Sequence, residues 1–298
     1  MNIIGKKTLY FIISGLIIIP GTISLILWGL SPSIDFTGGT LLEYQIKNPS
    51  PGFSKEKLKD VIVKSGVEVA SVAEAGDDSY LLRMKPIDVN KSREILSSAE
   101  KEIGGTVIQK KYETVGPSVG QETTLNAVKA VLVASLFIIL YIAWSFRKIP
   151  KPYSPIAFGV CAVVALIHDV LVVVGLFSIL GHFLKVEVDS LFITALLTVM
   201  GFSVHDTIVV FDRVRENLRK MPEVHFSEIV NFSMNQTLVR SLSTSLTVLL
   251  TILALVLFGG ESIRWFAVAL LIGILSGTYS SIFNAAPLLV LWEERKKK

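Results

Sequence analysis

The chain has 298 residues, of which 51% are hydrophobic and only 18% are charged. Soluble domains carry about a quarter charged residues, and the apolar residues here are concentrated in long runs, so the composition predicts a membrane protein. The formal net charge of +4 is small, and basic residues flank the apolar runs, which indicates topology rather than nucleic-acid binding. The single cysteine, Cys161, excludes an internal disulfide and is expected to be a packing residue.

The first apolar run extends from about Leu9 to Leu30 and follows Lys6 and Lys7, an arrangement also found in signal peptides. It is longer than a signal-peptide apolar region of about 7–15 residues, and no small-residue cleavage site follows it. We therefore interpret residues 1–30 as a cytoplasmic N-terminus and a retained first transmembrane helix.

Six segments meet the requirement of roughly 20 mostly apolar residues for a bilayer-spanning helix. The last five are crowded into residues 125–292, and a basic tail follows at residues 293–298. The predicted spans are Leu9–Leu30, Ala127–Phe146, Tyr153–Leu180, Leu191–Asp212, Leu238–Gly259 and Trp265–Trp292. A separate short surface helix is expected at Pro222–Asn235.

The basic residues indicate the orientation of these spans. If the spans alternate in direction, the basic clusters all fall on one side, whereas the loops His182–Asp189 and Gly259–Arg264 on the other side have no basic excess. By the positive-inside rule both termini are expected in the cytoplasm. The clusters are Lys6, Lys7, Arg147, Lys148, Lys151, Arg213, Arg215, Arg219, Lys220 and Arg295–Lys298.

Residues 31–124 form the one long loop, which is expected to be an extracytoplasmic domain. Its pattern predicts the order βαββαβ of a small α+β, ferredoxin-like fold. With no cysteine, histidine or glycine-rich phosphate loop in this region, a docking surface is expected there rather than an enzyme site. The predicted elements are strands Leu41–Ile46, Val67–Glu74, Ser79–Met84 and Thr106–Tyr112, a turn at Gly76-Asp77-Asp78, and helices capped by Ser54 and Asp88.

Polar and charged side chains recur inside four of the predicted spans. A charge near the bilayer centre costs about 2.5–3.5 kcal/mol on insertion scales, so such a residue faces a protein interior or a water-filled cavity. The third span carries His168 and Asp169 about halfway along, and the fifth begins at Arg240. The fourth and sixth carry the other candidates, namely Ser203, His205, Asp206, Thr207 and Asn284.

Depth counting predicts which of these residues meet. Asp206 is about six residues, or about 9 Å, from the end of the fourth span, and Arg240 is near the start of the fifth. Because the two lie at similar depth on consecutive helices, we predict an ion pair between them. Two alternatives stay open: Arg240 snorkels to the interface, or Asp206 is a structural carboxylate held by neighbouring hydroxyls.

The functional interpretation of this cluster is proton handling. A carboxylate balanced between an apolar surround and a nearby cation can take up a proton on one side and release it on the other when a helix moves. His168 and His205 titrate near neutral pH when unperturbed, so they and Asp169 are candidates for a relay. Thr207 and Asn284 are candidates for supporting it. Gly273 and Gly277 form a G-x-x-x-G pattern, which predicts either internal helix packing or a subunit contact.

Residues Gly201–Asn217 resemble the signature of the SecD/SecF family of protein-export membrane proteins, a part of the RND superfamily. The run Val210–Arg213 is similar to the SecF branch rather than to the SecD branch. The family pattern has Tyr at Phe202 and Asn at His205, so His205 is also interpreted as a neutral polar substitute. Further blocks resembling the family, in order along the chain, are Asp35–Thr40, Val115–Gly120, His168-Asp169, Asn235–Ser245 and Gly277–Phe283.

The resemblance implies a six-helix, RND-type half that works with SecD beside the SecYEG channel and its ATPase SecA in the bacterial cytoplasmic membrane. There the proton-motive force would draw unfolded polypeptide outward late in translocation, without a cofactor or metal. Asp206 and Arg240 match the proton-coupling residues proposed for the family, with a further aspartate from SecD. A start at Met1 with a cytoplasmic amine predicts that SecD is a separate chain.

Two other functions compete with this expectation. One is an RND-type proton-driven exporter of small molecules or lipids, which the single six-helix half and single small domain disfavour. The other is a non-conducting structural scaffold, in which the buried charges form a permanent salt bridge. In none of the three is the chain expected to be an enzyme.

Overall fold

The computed structural model of the chain describes residues 1–74, 76 and 78–295, and for Glu261 the backbone alone. The chain divides into two compact units, Pro32–Val128 and a second one made of Met1–Ser31 and Lys129–Lys298. We call them the α/β unit and the helical unit. The predicted topological limits at residues 30, 124 and 292 stay predictions, and Asp77 of the predicted turn and Lys296–Lys298 of the predicted tail lie outside the described residues.

The elements follow the predicted order with one additional short helix. In chain order they are α1 (Lys7–Trp28), α2 (Ile34–Thr37), β1 (Gly39–Lys47), α3 (Lys55–Lys64), β2 (Val69–Glu74), β3 (Ser79–Met84), α4 (Val89–Ile103), β4 (Thr106–Val115), α5 (Pro117–Phe146), α6 (Pro155–Leu184), α7 (Ser190–Lys220), α8 (Phe226–Phe258), α9 (Glu261–Ser280) and α10 (Ala286–Arg295). A π-helical segment, Ser281–Ala285, joins α9 to α10.

Six helical stretches of the described chain are long and apolar enough to cross a bilayer, which confirms the predicted fold class. They are Ile4–Trp28, Pro117–Phe146, Pro155–Leu184, Ser190–Lys220, Phe226–Phe258 and Ser262–Arg295.

Several helices extend well beyond the predicted spans. α5 begins at Pro117 rather than Ala127, and α7 continues to Lys220. α8 begins at Phe226, so the separate surface helix predicted at Pro222–Asn235 is wrong: most of it is the first part of α8. Hydropathy marks only the stretch that suits a bilayer, whereas the backbone hydrogen-bond ladder continues through polar residues until a breaker ends it.

Glycines bring the helices of the helical unit into close contact. A Cβ atom at Gly175 of α6 would lie 2.8 Å from the Cα atom of Gly21 on α1. A Cβ atom at Gly277 of α9 would lie 3.2 Å from the Cβ atom of Ser203 on α7. The G-x-x-x-G pattern of Gly273 and Gly277 therefore serves packing between α9 and α7 within this chain.

Both ends of the described chain lie at the same end of the helical unit. The Nζ atom of Lys7 is 2.8 Å from a carboxylate oxygen of Glu294. The Arg219 guanidinium donates a hydrogen bond of 3.0 Å to the carbonyl oxygen of Lys148. Because the basic clusters of α5, α7 and both termini gather there, we call this the basic end.

In the α/β unit, four antiparallel strands form a sheet with the order β2-β3-β1-β4. α3 and α4 cover one face, where Leu42, Leu58, Leu82 and Ile95 are fully buried. Ser54 and Asp88 cap the two helices as predicted, accepting hydrogen bonds from the backbone N–H groups of Lys57 and Lys91. The βαββαβ prediction is confirmed.

The segment just before β1 and the segment just after β4 are in contact. Gly38 follows α2 with φ +70°, and a Cβ atom there would lie 3.0 Å from the Cα atom of Pro117. A Cβ atom at Gly120 would lie 2.8 Å from the backbone nitrogen of Gly38. Glycine is required at both positions because the backbones approach so closely.

Candidate functional site

The Asp169 carboxylate of α6 lies at the centre of a buried polar cluster in the helical unit. Its side chain is fully buried. One carboxylate oxygen accepts hydrogen bonds of 2.6 Å from Ser203 of α7 and 2.7 Å from Ser280 of α9. The other accepts a 2.7 Å bond from Ser276 of α9, and the Nδ1 atom of His168 is 2.9 Å from it. These donors stabilise a charged carboxylate and tie three helices together.

Asp206, less than one helical turn beyond Ser203 on α7, is held much more loosely. It is only 3% exposed, but its described hydrogen bond is a long one of 3.4 Å, accepted from the Ser245 hydroxyl of α8. The Nδ1 atom of His205 is 3.9 Å from its other oxygen. Asp206 is therefore a buried carboxylate with few hydrogen-bond donors, in contrast to Asp169.

Hydroxyl groups link the surroundings of the two carboxylates. Thr278 of α9 donates a 2.7 Å hydrogen bond to Ser245, the residue that contacts Asp206. Ser203, which contacts Asp169, lies against Gly277, the neighbour of Thr278 in α9. The two carboxylates thus belong to one polar layer built from α6, α7, α8 and α9.

The predicted ion pair between Asp206 and Arg240 is not formed in this structure. Arg240 lies on the exposed surface of α8, and Asp206 contacts Ser245 instead. Arg240 lies five residues before Ser245, about 7.5 Å along α8 from the residue that contacts Asp206. The proton-coupling role of both residues stays a prediction.

The two histidines of the predicted relay have different surroundings. His168 is 9% exposed, and its Nε2 atom has no hydrogen-bond partner among the described residues. The His205 side chain, by contrast, is 71% exposed on the outer surface of α7. His205 is therefore available to a partner or to solvent, whereas His168 is enclosed.

The remaining two candidates lie beside the π-helical segment. Thr207 of α7 and Ser281 exchange a hydrogen bond of 3.0 Å between their hydroxyl oxygens. The Asn284 amide donates a 2.8 Å hydrogen bond to Ser14, so the polar cluster extends to α1. Four further residues of the cluster were not predicted as site residues from the sequence, namely Ser14, Ser245, Ser276 and Ser280. The signal available for the last two was their four-residue spacing on α9, which places them on one face.

Two polar stripes remain exposed on membrane-spanning helices. Several of their hydroxyls donate to the backbone of their own helix, so each stripe adds little desolvation cost of its own. His205 and Arg240 are the exceptions, because neither side chain is satisfied that way. We define the α7 stripe as Thr194, Thr198, Gly201 and His205, and the α8 stripe as Arg240, Thr244, Thr247 and Thr251.

Within the described chain, no group of three or more histidine, cysteine, aspartate or glutamate side chains is placed to hold a metal ion. The arrangement is instead a buried carboxylate pair, ringed by hydroxyls, inside a bundle of six apolar helices. These features define a multi-pass membrane protein with a polar intramembrane site and one small α/β unit.

Comparison with known protein families identifies the family. Residues 95–295 match the model described as "Protein export membrane protein SecD/SecF, C-terminal", and residues 24–50 match the "SecD/SecF GG Motif". The chain belongs to the SecD/SecF family, which confirms the resemblance drawn from the sequence. The GG motif includes Gly38 and Gly39, whose close backbone contacts account for the absence of side chains there.

Individual relatives agree with this assignment. The chain is 46% identical over 306 residues to "Protein translocase subunit SecF" of Thermobaculum terrenum, covering 99% of this chain and 95% of the relative. It is also 38% identical over 276 residues to "Protein translocase subunit SecDF" of Thermus thermophilus, covering 90% of this chain but only 35% of that protein.

A solved structure shares the fold. The crystal structure of SecDF from Thermus thermophilus, described as a translocon-associated membrane protein, is 36% identical to this chain with a TM-score of 0.82. The match covers 99% of this chain but 39% of that one. This chain thus corresponds to somewhat more than a third of a longer fused protein.

Proposed function

We propose that this chain is a SecF-type subunit of the Sec protein-export machinery. In partnership with SecD it uses the proton-motive force to promote late translocation of unfolded polypeptide through SecYEG, where SecA acts. Asp206 takes up and releases the proton, Arg240 assists it in the assembled complex, and Asp169 is the fixed anion of the layer. Both termini lie in the cytoplasm, and the α/β unit lies on the opposite side of the bacterial inner membrane.

The observation that carries this proposal is the contrast between the two buried carboxylates. Asp169 has three hydroxyl donors and a histidine around it, whereas Asp206 has one long hydrogen bond. A carboxylate with full hydrogen bonding holds its charge, and one with little hydrogen bonding in an apolar surround changes its protonation at low cost. Asp206 is therefore the residue whose charge can alternate.

The SecD part of the proposal is supported by the fused relatives and by the exposed stripes. A fused SecDF chain contains this chain's counterpart as 39% of its length, so the remainder is held next to it covalently. His205 and Arg240 expose polar groups on helices that cross a bilayer, where lipid cannot satisfy them. A partner helix bearing polar residues would cover these stripes.

The experiment compares Asp206→Asn with Asp212→Asn in vesicles that contain this chain together with SecD and the Sec channel. Asp212 is exposed near the basic end and pairs with Arg215, so its substitution is a control for lost charge on the same helix. We expect Asp206→Asn to abolish the proton-gradient-dependent part of export while the complex stays intact, and Asp212→Asn to have no effect.

The outcomes separate the competing functions. Normal proton-gradient-dependent export in Asp206→Asn vesicles would exclude the proton role. Dissociation of the complex in the same variant would favour the scaffold. Movement of a small molecule by the purified chain without SecD would favour an RND-type exporter.

A further inference from the structure

One side of α8 carries a row of buried hydroxyl groups. They occur at every fourth residue, a spacing that keeps side chains on one helix face with a rise of about 6 Å per step. All are at most 4% exposed, so they lie inside the helical unit and not in the α8 stripe. We define the hydroxyl row as Ser233, Thr237, Ser241 and Ser245.

The two ends of the row contact polar groups of α7. At one end the Ser245 hydroxyl donates to the carboxylate of Asp206. At the other end the Asn217 amide donates hydrogen bonds of 2.8 Å to Ser233 and 2.9 Å to Gln236, and Gln236 is exposed. The row thus leads from the buried carboxylate toward the surface near the basic end, a distance of about 18 Å along α8.

The row has hydroxyls on only one side of Asp206. Beyond Ser245, the inward side of α8 continues with the apolar residues Leu249 and Ile252. Small side chains at a helix contact often serve close packing alone. Close packing alone does not explain why one residue of the row is a threonine. It also does not explain why the hydroxyls end at the level of the Asp206 carboxylate.

The Ser241 hydroxyl supplies independent evidence for a ligand. It is buried, and no residue of the described chain forms a hydrogen bond with it. Ser233 and Thr237 donate to backbone carbonyls of their own helix but keep oxygen lone pairs free to accept. A buried hydroxyl without a partner costs about 1–3 kcal/mol, and an ordered water removes that cost.

We propose that the hydroxyl row binds a file of water molecules that carries protons between Asp206 and the basic end of the protein. Hydroxyls about 6 Å apart cannot bond each other directly, but one water between each pair spans the gap. For a transfer, Ser233 and Thr237 turn their hydroxyl hydrogens from the backbone carbonyls toward the next water. Each oxygen then accepts a proton from one neighbour and gives its own to the next, and the waters and hydroxyls turn back before the next proton enters. This inference rests on the proposed proton role of Asp206.

The first test uses the vesicles that contain the complex with SecD and the Sec channel. Ser241→Val fills the space with methyl groups, and we expect proton-gradient-dependent export to fall about tenfold, which corresponds to about 1.4 kcal/mol. Ser241→Ala removes the hydroxyl without adding bulk, so a smaller fall in export is expected than for Ser241→Val. Ser243→Val, on the exposed face of the same helix, is the matched control and is expected to be silent.

The second test measures hydration directly and does not depend on export. A cysteine introduced by Ser241→Cys is expected to react with a small charged methanethiosulfonate reagent added on the side of the basic end. Ile252→Cys, buried on the same helix beyond Asp206, is expected to be unreactive, and buried Cys161 provides the background.

These results distinguish the water file from the proposed function. Lost export in Asp206→Asn vesicles with normal export in Ser241→Val vesicles overturns the file alone. An unreactive Ser241→Cys thiol also overturns it. Export that survives Asp206→Asn removes the proton role of Asp206, and the proton-carrying file with it.

Discussion

Val199 of α7 lies directly against Gly273 of α9: a Cβ atom at residue 273 would be 2.2 Å from the Cγ2 atom of Val199. Valine is stiff about its first side-chain torsion and cannot turn away easily. Gly201, half a turn further along α7, has open space instead, with no atom within 4 Å of an added Cβ. An added side chain would therefore clash at Gly273 but not at Gly201.

Gly273→Ala is expected to lower the free energy of unfolding by about 1–3 kcal/mol, because the added methyl group overpacks the α7–α9 contact. Gly201→Ala should raise it by up to about 1 kcal/mol, because alanine loses less backbone entropy in a helix. Thermal unfolding of the purified full chain in detergent measures both. Equal melting temperatures for the two variants would contradict the packing described here.

Asp169→Asn is expected to destabilise the chain by about 1.5–3 kcal/mol, since hydrogen bonds to a charged acceptor are lost at the centre of three helices. Asp206→Asn loses one long hydrogen bond and a buried charge, so a change within about 0.5 kcal/mol is expected. The same unfolding measurement compares them. If Asp206→Asn is the more destabilising of the two, the assignment of a fixed and an alternating carboxylate is wrong.

Gly201→Leu tests the α7 stripe as the surface that SecD covers. The chain has room for the side chain, so its own stability should be unchanged, but co-purification with co-expressed SecD should be lost. Leu242→Ala, on the exposed apolar side of α8, is the control and should leave the association intact. Retained SecD in the Gly201→Leu sample would place the interface elsewhere.

Arg240→Gln is expected to leave the unfolding free energy within about 0.5 kcal/mol, because the side chain is exposed and makes no ion pair with Asp206. Proton-gradient-dependent export should nevertheless fall, since the charge is needed once the complex assembles. Arg240→Lys keeps the charge but loses the bidentate hydrogen-bonding geometry of the guanidinium. Export close to that of the unmodified chain would show that the charge matters, and export as low as in Arg240→Gln would show that the geometry matters. Full export in Arg240→Gln vesicles would favour the snorkelling interpretation.

In the α/β unit, Leu82→Ala should destabilise the fold by about 2–5 kcal/mol, because Leu82 is fully buried between sheet and helices. Ile108→Ala removes a side chain that is 41% exposed on β4 and should cost much less. Limited proteolysis of the full chain reports both. Cleavage confined to residues 32–128 in Leu82→Ala would also show that this unit unfolds separately.

Hydropathy and turn residues predicted the six spans and the βαββαβ order, because both follow from local patterns of apolar side chains and breakers. The ends of α5, α7 and α8 were not predictable, since polar residues continue a helix without any apolar signal. The Asp206–Arg240 contact failed for a different reason. Depth along a helix follows from residue count, but direction around it does not.

The geometry shows the size of that error. Ser245 faces Asp206, and Arg240 lies five residues earlier, which turns it by about 140° and shifts it by about 7.5 Å along α8. The sequence alone did not show which α8 residue faces Asp206. The hydroxyl spacing of four, which was visible in the sequence, was the better guide to the inward face.

The π-helical segment Ser281–Ala285 gives the last span one residue more than a regular helix of the same length needs. A surplus residue of this kind can move along a helix one position at a time while nearly all backbone hydrogen bonds are kept. Each such step turns the intervening residues by about 100°. Ser281 and Asn284 lie within that stretch and contact α7 and α1, so a shift of the surplus residue would change both contacts at once.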